Sequence, residues 1–286
     1  MQMICAWKEL LAVLPLWMRK DVDAQKPEAL REIRLRSNGP PELVLASGSQ
    51  WLQRNVGKED LDYVVNAASR YSPWAAATSA RGFITARGGH RIGLCGEVLR
   101  KNGEVTGIRD VTSLCIRVAG DYPGIAEALK NISGSVLILG APGWGKTTLL
   151  RDLIRQISGK EQVCVVDERG ELFPTDLPGG TRMDVLTGCD KKAGIPMLLR
   201  TMGPDCIAVD EITEPEDVQA LLQAANCGVR LLATAHAASL SDFRSRGVYK
   251  PLVDNPVFST LAVLQKNNTY TIERMTQWNS NGLVHF

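Results

Sequence analysis

Four nearly all-apolar runs in the second half of the chain constrain its fold more than any other feature. They lie at residues 136–139, 163–166, 206–209 and 229–233. Longer helical or polar segments separate them. Strands that are apolar along their whole length belong to parallel sheets covered by helices on both faces. The sequence therefore predicts an α/β domain with a mostly parallel sheet and helices on both faces.

A glycine-rich segment, GAPGWGKTT at residues 140–148, follows the first of these runs. It fits the pattern G-x-x-x-x-G-K-[ST], whose fixed positions are Gly140, Gly145, Lys146 and Thr147. Apolar residues recur at helical spacing in the LLRDLIRQI that follows, so the segment joins a strand to a helix. This context favours a phosphate-binding loop over a turn that merely begins a helix.

Each residue type in this loop has a chemical reason. The β- and γ-phosphates of a nucleotide carry several negative charges, which backbone N–H groups at a helix N-terminus can hold. Gly143 and Gly145 let the backbone approach, Lys146 reaches the phosphates, and the Thr147 hydroxyl is expected on Mg²⁺. We therefore predict ATP and Mg²⁺ as ligands. The predicted nucleotide-binding residues are Ala141, Pro142, Gly143, Trp144, Gly145, Lys146, Thr147 and Thr148.

A pair of carboxylates ends the third apolar run, where CIAVDE finishes in Asp210 and Glu211. A phosphate-binding loop needs acidic groups at the end of another strand, to hold Mg²⁺ and to orient the attacking water. We predict that Asp210 supports the metal together with Thr147 and that Glu211 polarises water. The alternative is that the pair only caps a helix.

Another acidic cluster, VCVVDERGE, ends the second apolar run. Asp167 and Glu171 are both expected to face the γ-phosphate, whereas Glu168 and Arg169 are interpreted as a surface ion pair of little energetic value. Glu171 is thus a second candidate for the general base, beside Glu211. The sequence does not rank the two.

The fourth run, GVRLLATAH, ends in a histidine. Single histidines more often serve structure than catalysis. His236, however, follows a strand of a domain that carries a phosphate-binding loop, and such strand ends point toward the ligand. We predict that His236 senses the γ-phosphate, with Thr234 a weaker candidate for the same network.

The first half of the chain has a different pattern of apolar runs and turn residues. Short β-like runs at 42–46, 90–94 and 114–118 alternate with glycine-rich turns and with a helical pattern at 59–71. This mixture predicts a small α+β domain.

Turn residues in GDYPGIAEALKNISGS place the domain boundary near residue 125. We therefore expect an N-terminal α+β domain with a leading helix at 1–125. A RecA-like P-loop ATPase domain is expected at 126–286, and its last 25 residues are predicted to contain a short hairpin.

Composition narrows the class of partner. Of the 286 residues, 44% are hydrophobic and 22% charged, and the net charge of +2 gives no general case for nucleic-acid binding. Seven scattered cysteines without a CxxC pair favour a reducing cytoplasm and mostly buried thiols.

Charges and Pro15 interrupt the apolar N-terminal segment, which therefore predicts a helix packed on its own domain rather than a membrane span. A helix that docks on a membrane surface or a partner is the alternative.

In chain order, GAPGWGKTT, VVDERGE, CIAVDE and GVRLLATAH resemble the Walker A, Asp-box, Walker B and His-box motifs of secretion ATPases. These are the motors of type II and type IV secretion and of pili. Within that superfamily, GHRIGLCGEV, GIRDVTSLCIRVAG and RMDVLTGCDKKAGIPMLLRTMGPD look like the stage III sporulation protein AA family over most of the chain.

This resemblance implies a cytoplasmic ATPase, peripheral at the inner face of a membrane in the mother cell, that acts with integral membrane proteins during endospore formation. It implies a homo-oligomer, by analogy a hexamer, and a sensor-like N-terminal domain. In such ATPases, arginines from the N-terminal domain complete the nucleotide site. The candidates here are Arg91, Arg109 and Arg117.

Some positions depart from the pattern of the family. Trp144 is larger than the residue usual in the loop, Thr213 stands where many secretion ATPases have arginine, and Asp190 stands where we expect proline. Lys191 and Lys192 are interpreted first as a solvated surface and second as a subunit or partner contact.

Three functions fit these motifs. The first is an oligomeric, Mg²⁺-dependent ATPase motor that energises a membrane-spanning channel or secretion-like complex. The second is a nucleic-acid-linked RecA-like ATPase, which the balanced charge and the lack of aromatic residues interleaved with basic ones disfavour. The third is a nucleotide-binding adaptor with little hydrolysis, which the full set of acidic groups disfavours. We expect the motor, without a nucleic-acid partner.

Overall fold

The computed structural model describes residues 3–69, 80, 82–173, 179–266 and 269–274. These residues form two compact units that divide between Asp121 and Tyr122. The boundary expected near residue 125 falls just after this division. The second unit contains the glycine-rich loop and all four apolar runs.

The first unit is built on a six-stranded antiparallel sheet. Its strands are β1 (Leu30–Arg36), β2 (Glu42–Leu45), β3 (Gly48–Trp51), β4 (Phe83–Thr85), β5 (Arg91–Lys101) and β6 (Glu104–Arg117), in the order β3-β2-β1-β6-β5-β4. Ile33, Ile92 and Ile116 are fully buried, because the pleat turns alternate side chains to the same face. The three β-like runs predicted in this half fall in β2, β5 and β6. β5 and β6 extend well beyond these runs as a long hairpin.

Among the described residues, this unit contains the α-helices α1 (Trp7–Val13), α2 (Leu16–Asp23) and α3 (Lys58–Ser69). Each helix packs into the hydrophobic core of the sheet, through Leu10 of α1, Met18 of α2 and Leu61 of α3. The N-terminal segment is therefore helical and packs on its own unit, as predicted, but it forms two short helices divided at Pro15 instead of one. The last two residues of the helical pattern predicted at 59–71 lie outside the described residues. Among the described helices, none is both long and apolar enough to cross a membrane.

The second unit is built on a seven-stranded sheet. Its strands are β7 (Val136–Leu139), β8 (Val163–Asp167), β9 (Met183–Thr187), β10 (Cys206–Ile212), β11 (Arg230–Ala235), β12 (Thr260–Leu264) and β13 (Tyr270–Arg274), in the order β13-β12-β7-β11-β10-β8-β9. All neighbours are parallel except β13, which pairs with β12 as an antiparallel hairpin. The predicted C-terminal hairpin is thus present, although residues 275–286 lie outside the described residues.

Helices cover both faces of this sheet. They are α4 (Lys146–Ile157), α5 (Lys191–Thr201), α6 (Pro215–Asn226), α7 (Leu240–Ser245) and α8 (Lys250–Asp254). Alternate strand residues enter two separate cores: Ile138 packs with the apolar face of α4, and Leu139 packs in the core that α5 to α8 share. The prediction of a mostly parallel sheet covered on both faces is confirmed.

The seven cysteines are free thiols. The expectation that they are mostly buried is met only in part. Cys164 and Cys206 are buried in strands of the second unit, whereas Cys95 and Cys227 are exposed.

Candidate functional site

The glycine-rich loop runs from the end of β7 to the first residue of α4. Gly143 and Gly145 have φ angles of 77° and 91°, a conformation that residues with a Cβ rarely adopt. Gly140 is restricted for another reason: a Cβ there would lie 3.1 Å from the Cβ of Leu264, on the adjacent strand β12, which would have to shift by a few tenths of an ångström. Local backbone conformation and sheet packing thus both shape this loop.

Lys146, the first residue of α4, is almost fully buried. Its Nζ donates to the carbonyl oxygen of Ala141 over 3.1 Å and lies 2.8 Å from Nδ1 of His236. Burial lowers the pKa of Lys146, and the nearby charges of Asp210 and Glu211 partly oppose that shift. The structure therefore brings together the loop lysine and the histidine of β11's end, as the sequence predicted.

Thr147 and Asp210 form the centre of the site. The Thr147 hydroxyl donates to Oδ2 of Asp210 over 2.7 Å, and the Thr234 hydroxyl donates to Oδ1 over 2.6 Å. Asp210 thus accepts a hydrogen bond at each oxygen, and both donors come from predicted motifs. The pairing of Thr147 with Asp210 brings together the two residues predicted to support the metal.

Glu211 follows with a left-handed backbone, at a φ angle of 51°. The regular pairing of β10 with β11 breaks between Val209 and Ile212, so Glu211 lies in a β-bulge. Such backbone conformations cost about 1–3 kcal/mol and cluster at functional sites, where a bulge can aim a side chain. The alternative that Asp210 and Glu211 only cap a helix is wrong, because α6 has its capping box at Glu214 and Asp217.

The Glu211 carboxylate joins two partners. Its Oε1 lies 2.7 Å from Nε2 of His236, and its Oε2 accepts from Nη1 of Arg169 over 3.1 Å. If the Lys146 ammonium donates to Nδ1 of the same imidazole, Nε2 is the nitrogen that donates to Glu211. A continuous chain therefore runs from Lys146 through His236 and Glu211 to Arg169.

Asp167 shapes the segment that carries Glu171. Its two carboxylate oxygens accept backbone N–H groups of Glu171, Leu172 and Phe173 over 2.9–3.1 Å. Burial raises the pKa of Asp167, and these three hydrogen bonds act against the shift. From α4, the Arg151 guanidinium donates to the carbonyl oxygen of Glu171 over 2.7 Å.

Arg151 has no signal in the sequence, because at helical spacing it lies well away from the apolar face formed by Leu149, Leu153 and Ile157. Glu171 itself lines a pocket beside the loop, and all but two residues of its wall are acidic. The residues of the wall are Asp167, Glu168, Arg169, Glu171, Lys191, Asp210 and Glu211.

Lys191 corrects the interpretation of the KK pair as a solvated surface. Its side chain is only 4% exposed, and its Nζ lies 3.2 Å from Oε2 of Glu168 and 3.4 Å from Oδ2 of Asp217. Lys192 is exposed, as expected. The interpretation of Glu168 and Arg169 as a surface ion pair is also wrong, because Lys191 and Glu211 are their respective partners.

The departures from the pattern of the family have local explanations. Asp190 caps α5, because its Oδ1 accepts the backbone N–H of Ala193 over 2.7 Å. Thr213 donates its backbone N–H to Asp217 just before α6. Trp144 is half-buried and packs against the core on the α4 side of the sheet.

The three candidate arginines lie on β5 and β6 of the first unit, and their role in the nucleotide site stays a prediction. Arg91 and Arg117 are directly opposite each other in the β5–β6 register. Each of the three has a neighbour in its own unit: Arg91 lies over the ring of Phe83, Arg109 pairs with Glu97, and Arg117 lies near Glu32.

Three features define the second unit as a P-loop domain: a mostly parallel α/β sheet, a glycine-rich loop that opens a helix, and the pairing of Thr147 in that helix with Asp210 on β10. The family model described as "Sporulation stage III, protein AA" matches residues 7–278. The chain belongs to this family.

Stage III sporulation protein AA of Bacillus subtilis (strain 168) is 37% identical over 278 residues, which cover 90% of this chain and 91% of that protein. The fold is similar to that of the Legionella pneumophila ATPase DotB, with a TM-score of 0.59 and 19% identity over 91% of this chain and 80% of that one. It is also similar to the pilus retraction motor PilT, solved with bound ADP, with a TM-score of 0.59 and 13% identity over 89% and 80% of the two chains.

Proposed function

We propose that this protein is an ATP hydrolase that depends on Mg²⁺ and works as a motor. The observation that carries the proposal is the meeting of Lys146, Thr147, Asp210, Glu211 and His236 at the carboxyl ends of adjacent parallel strands. These side chains supply a cation, two oxygen ligands and a base within one hydrogen-bonded network. That set is what phosphoryl transfer to water requires.

The residues present fit a magnesium ion. Mg²⁺ prefers oxygen ligands and is usually held by one or two carboxylates together with phosphates of the substrate. The Thr147 hydroxyl and the Asp210 carboxylate, 2.7 Å apart, are such ligands and would hold it. When bound, it neutralises charge that develops on the β- and γ-phosphates.

Phosphate binding falls to the loop and Lys146. The loop offers backbone N–H groups at the start of α4, and the Lys146 ammonium adds a positive charge. His236, which contacts both Lys146 and Glu211, then links the phosphate-binding lysine to the catalytic carboxylate. This arrangement suits the predicted role of His236 as γ-phosphate sensor.

We assign Glu211 as the general base. It takes the proton of the attacking water as the new O–P bond forms and the bond between the γ-phosphorus and the bridging oxygen of ADP breaks. Its position next to Asp210, on a backbone held in a strained conformation, supports this assignment. Glu171 lines the same pocket and is the alternative base.

Family membership supports a role in endospore formation, and the similarity of fold to DotB and PilT supports a motor. We propose a hexamer in which Arg91, Arg109 or Arg117 completes a nucleotide site, and in which the first unit acts as a sensor-like domain. An arginine of this kind raises the rate by about 10³–10⁵. The hexamer would lie in the cytoplasm of the mother cell, at the inner face of a membrane, and energise a complex of integral membrane proteins.

The test is steady-state ATP hydrolysis with Mg²⁺ over a series of protein concentrations, with and without single-stranded DNA. Lys146→Ala should abolish turnover, and Lys192→Ala, which removes an exposed lysine of the same unit, should leave it unchanged. Activity that rises cooperatively with concentration and ignores DNA supports the oligomeric motor. Turnover that needs DNA would support a nucleic-acid-linked ATPase, and nucleotide binding without turnover at any concentration would support an adaptor.

Two further variants identify the base. Glu211→Gln should retain ATP binding and lose turnover by about 10²-fold or more, the usual contribution of a general base. Glu171→Gln should retain a larger share of activity. The reverse order would assign the base to Glu171.

A further inference from the structure

Thr234, which the sequence suggests only as a weaker candidate for sensing the γ-phosphate, lies inside the site and has no part in the chemistry proposed above. Its side chain is fully buried on β11, the strand between the loop strand β7 and the acidic strand β10. The bulge consists of Asp210 and Glu211. Both lie opposite Thr234, because Val209 pairs with Ala233 and the next pair of β10 and β11 is Ile212 with Ala235. Thr234 is therefore the residue of β11 that faces the whole bulge.

The Thr234 hydroxyl makes two hydrogen bonds whose directions are fixed by chemistry. It accepts the backbone N–H of Glu211 over 2.8 Å, because an amide can only donate. Its single proton is then free to go to Oδ1 of Asp210, 2.6 Å away. Oδ2 of the same carboxylate accepts from Thr147. One hydroxyl thus fixes the rotation of the Asp210 carboxylate and the left-handed backbone of Glu211.

We propose that Thr234 is a positioning residue that sets both the metal-supporting carboxylate and the general base. The inference rests on the proposed function, because it concerns how Asp210 and Glu211 are held for that reaction. With the hydroxyl removed, Asp210 loses one of its two donors and the Glu211 N–H loses its acceptor inside the protein. Both groups would then sample other orientations, and the metal-dependent part of binding and catalysis would weaken together.

A purely structural threonine would give a different result. If the hydroxyl only satisfied buried polar groups, its loss would lower the free energy of unfolding and leave metal dependence unchanged. The distinguishing measurements are therefore the Mg²⁺ concentration that gives half-maximal turnover and the gain in affinity for a nucleotide that Mg²⁺ produces.

The experiment compares Thr234→Val with Thr234→Ser in the full-length chain. Affinity for a fluorescent ADP analogue is measured in EDTA and in saturating Mg²⁺, and turnover is measured across an Mg²⁺ series. Thr260→Val is the matched control, since Thr260 is a buried threonine of the same sheet that pairs with Val136, at the end away from the loop. Thr234→Ala serves in place of valine if the added methyl prevents folding.

We expect Thr234→Val to bind the analogue in EDTA within about threefold of the parent. Its gain in affinity with Mg²⁺ and its kcat should both fall by about 10–100-fold, the usual loss when a group that supports a metal ligand is removed. The serine variant and the Thr260 control should stay within about threefold of the parent. Unchanged Mg²⁺ dependence in the valine variant, or a serine variant as impaired as valine, would overturn the proposal.

Failure of the proposed function has a separate signature. If the parent binds the analogue with an Mg²⁺-dependent gain but hydrolyses no ATP, the hydrolase proposal fails. The binding comparison then still decides the role of Thr234.

Discussion

Replacing Lys191 by methionine tests the buried ion pairs that join three elements of the second unit. Lys191 begins α5, Glu168 follows β8, and Asp217 lies in the first turn of α6. The Nζ–carboxylate distances are 3.2 and 3.4 Å, and the side chains of Lys191 and Asp217 are only 4% and 8% exposed. Methionine fills a similar unbranched volume, so the substitution removes the charge with little change in packing.

The magnitude follows from the carboxylates left behind. Each attraction is about 5 kcal/mol at an effective dielectric constant of about 20, but desolvation of the three ions offsets much of it. Glu168 is 31% exposed and gains hydration when Lys191 is lost, whereas Asp217 keeps backbone N–H donors from Thr213 and Glu214. We therefore expect a loss of about 2–3 kcal/mol, at or below the lower end of the range of about 3–5 kcal/mol for a broken buried pair.

Differential scanning calorimetry and urea unfolding measure this loss. The transition of the second unit should move down by about 4–12 °C, given about 2–4 °C per kcal/mol in a domain of this size. Lys192→Met, at the adjacent exposed lysine, is the matched control and should change the free energy of unfolding by less than about 0.5 kcal/mol. Equal effects of the two substitutions would refute the reasoning, because they would mean that the buried pairs contribute nothing net.

Two other perturbations have defined outcomes. Burial lowers the pKa of His90, whose Nδ1 accepts the Ala119 N–H. The unfolded chain keeps the ordinary histidine pKa of about 6.5, so below pH 6.5 it binds more protons than the folded chain. The free energy of unfolding should then fall with decreasing pH below 6.5, by at most about 1.4 kcal/mol per pH unit, and urea titrations of His90→Gln should lack this component. Asp190→Ala should lower the free energy of unfolding by about 1 kcal/mol, because the α5 cap is lost, and Asp190→Asn should lower it by only a few tenths. Equal losses for the two variants in thermal unfolding would contradict the capping role.

The parallel sheet and most of the site could be predicted because their signals are local in sequence. Continuous apolar runs identify β7, β8, β10 and β11, and the P-loop pattern identifies the residues at the start of α4. The acidic residues and the histidine that follow these strands can then be placed together, because the carboxyl ends of parallel strands meet at one edge of the sheet. The predicted convergence of Lys146, Asp210, Glu211 and His236 is what the structure shows.

What the sequence could not supply depends on pairings between distant segments. The sequence alone suggests that Lys191 belongs to a solvated pair, because its partners are distant in the chain. Glu168 follows β8 and Asp217 lies in the first turn of α6. The left-handed backbone of Glu211 has no local signature, because it comes from the extra residue of β10 opposite Thr234. The extension of the β5–β6 hairpin beyond the predicted runs was likewise hidden, since residues 95–101 and the facing part of β6 are mostly exposed and lack the alternation that marks a half-buried strand.

Side chains introduced at the three glycines of the P-loop would meet different obstacles, because a Cβ on Gly140 alone would come close to a neighbouring strand, 3.1 Å from the Cβ of Leu264. A Cβ built on Gly143 or Gly145 would have no neighbour within 4 Å, so a larger residue there is disfavoured by the positive φ angle and by the space that a phosphate needs. A Cβ at Gly140 would instead meet Leu264 on β12 and, at 3.3 Å, the Cγ of Lys146. A substitution at the first glycine therefore tests the packing of β12 against the phosphate-binding lysine, and one at the later glycines tests the left-handed backbone of the loop.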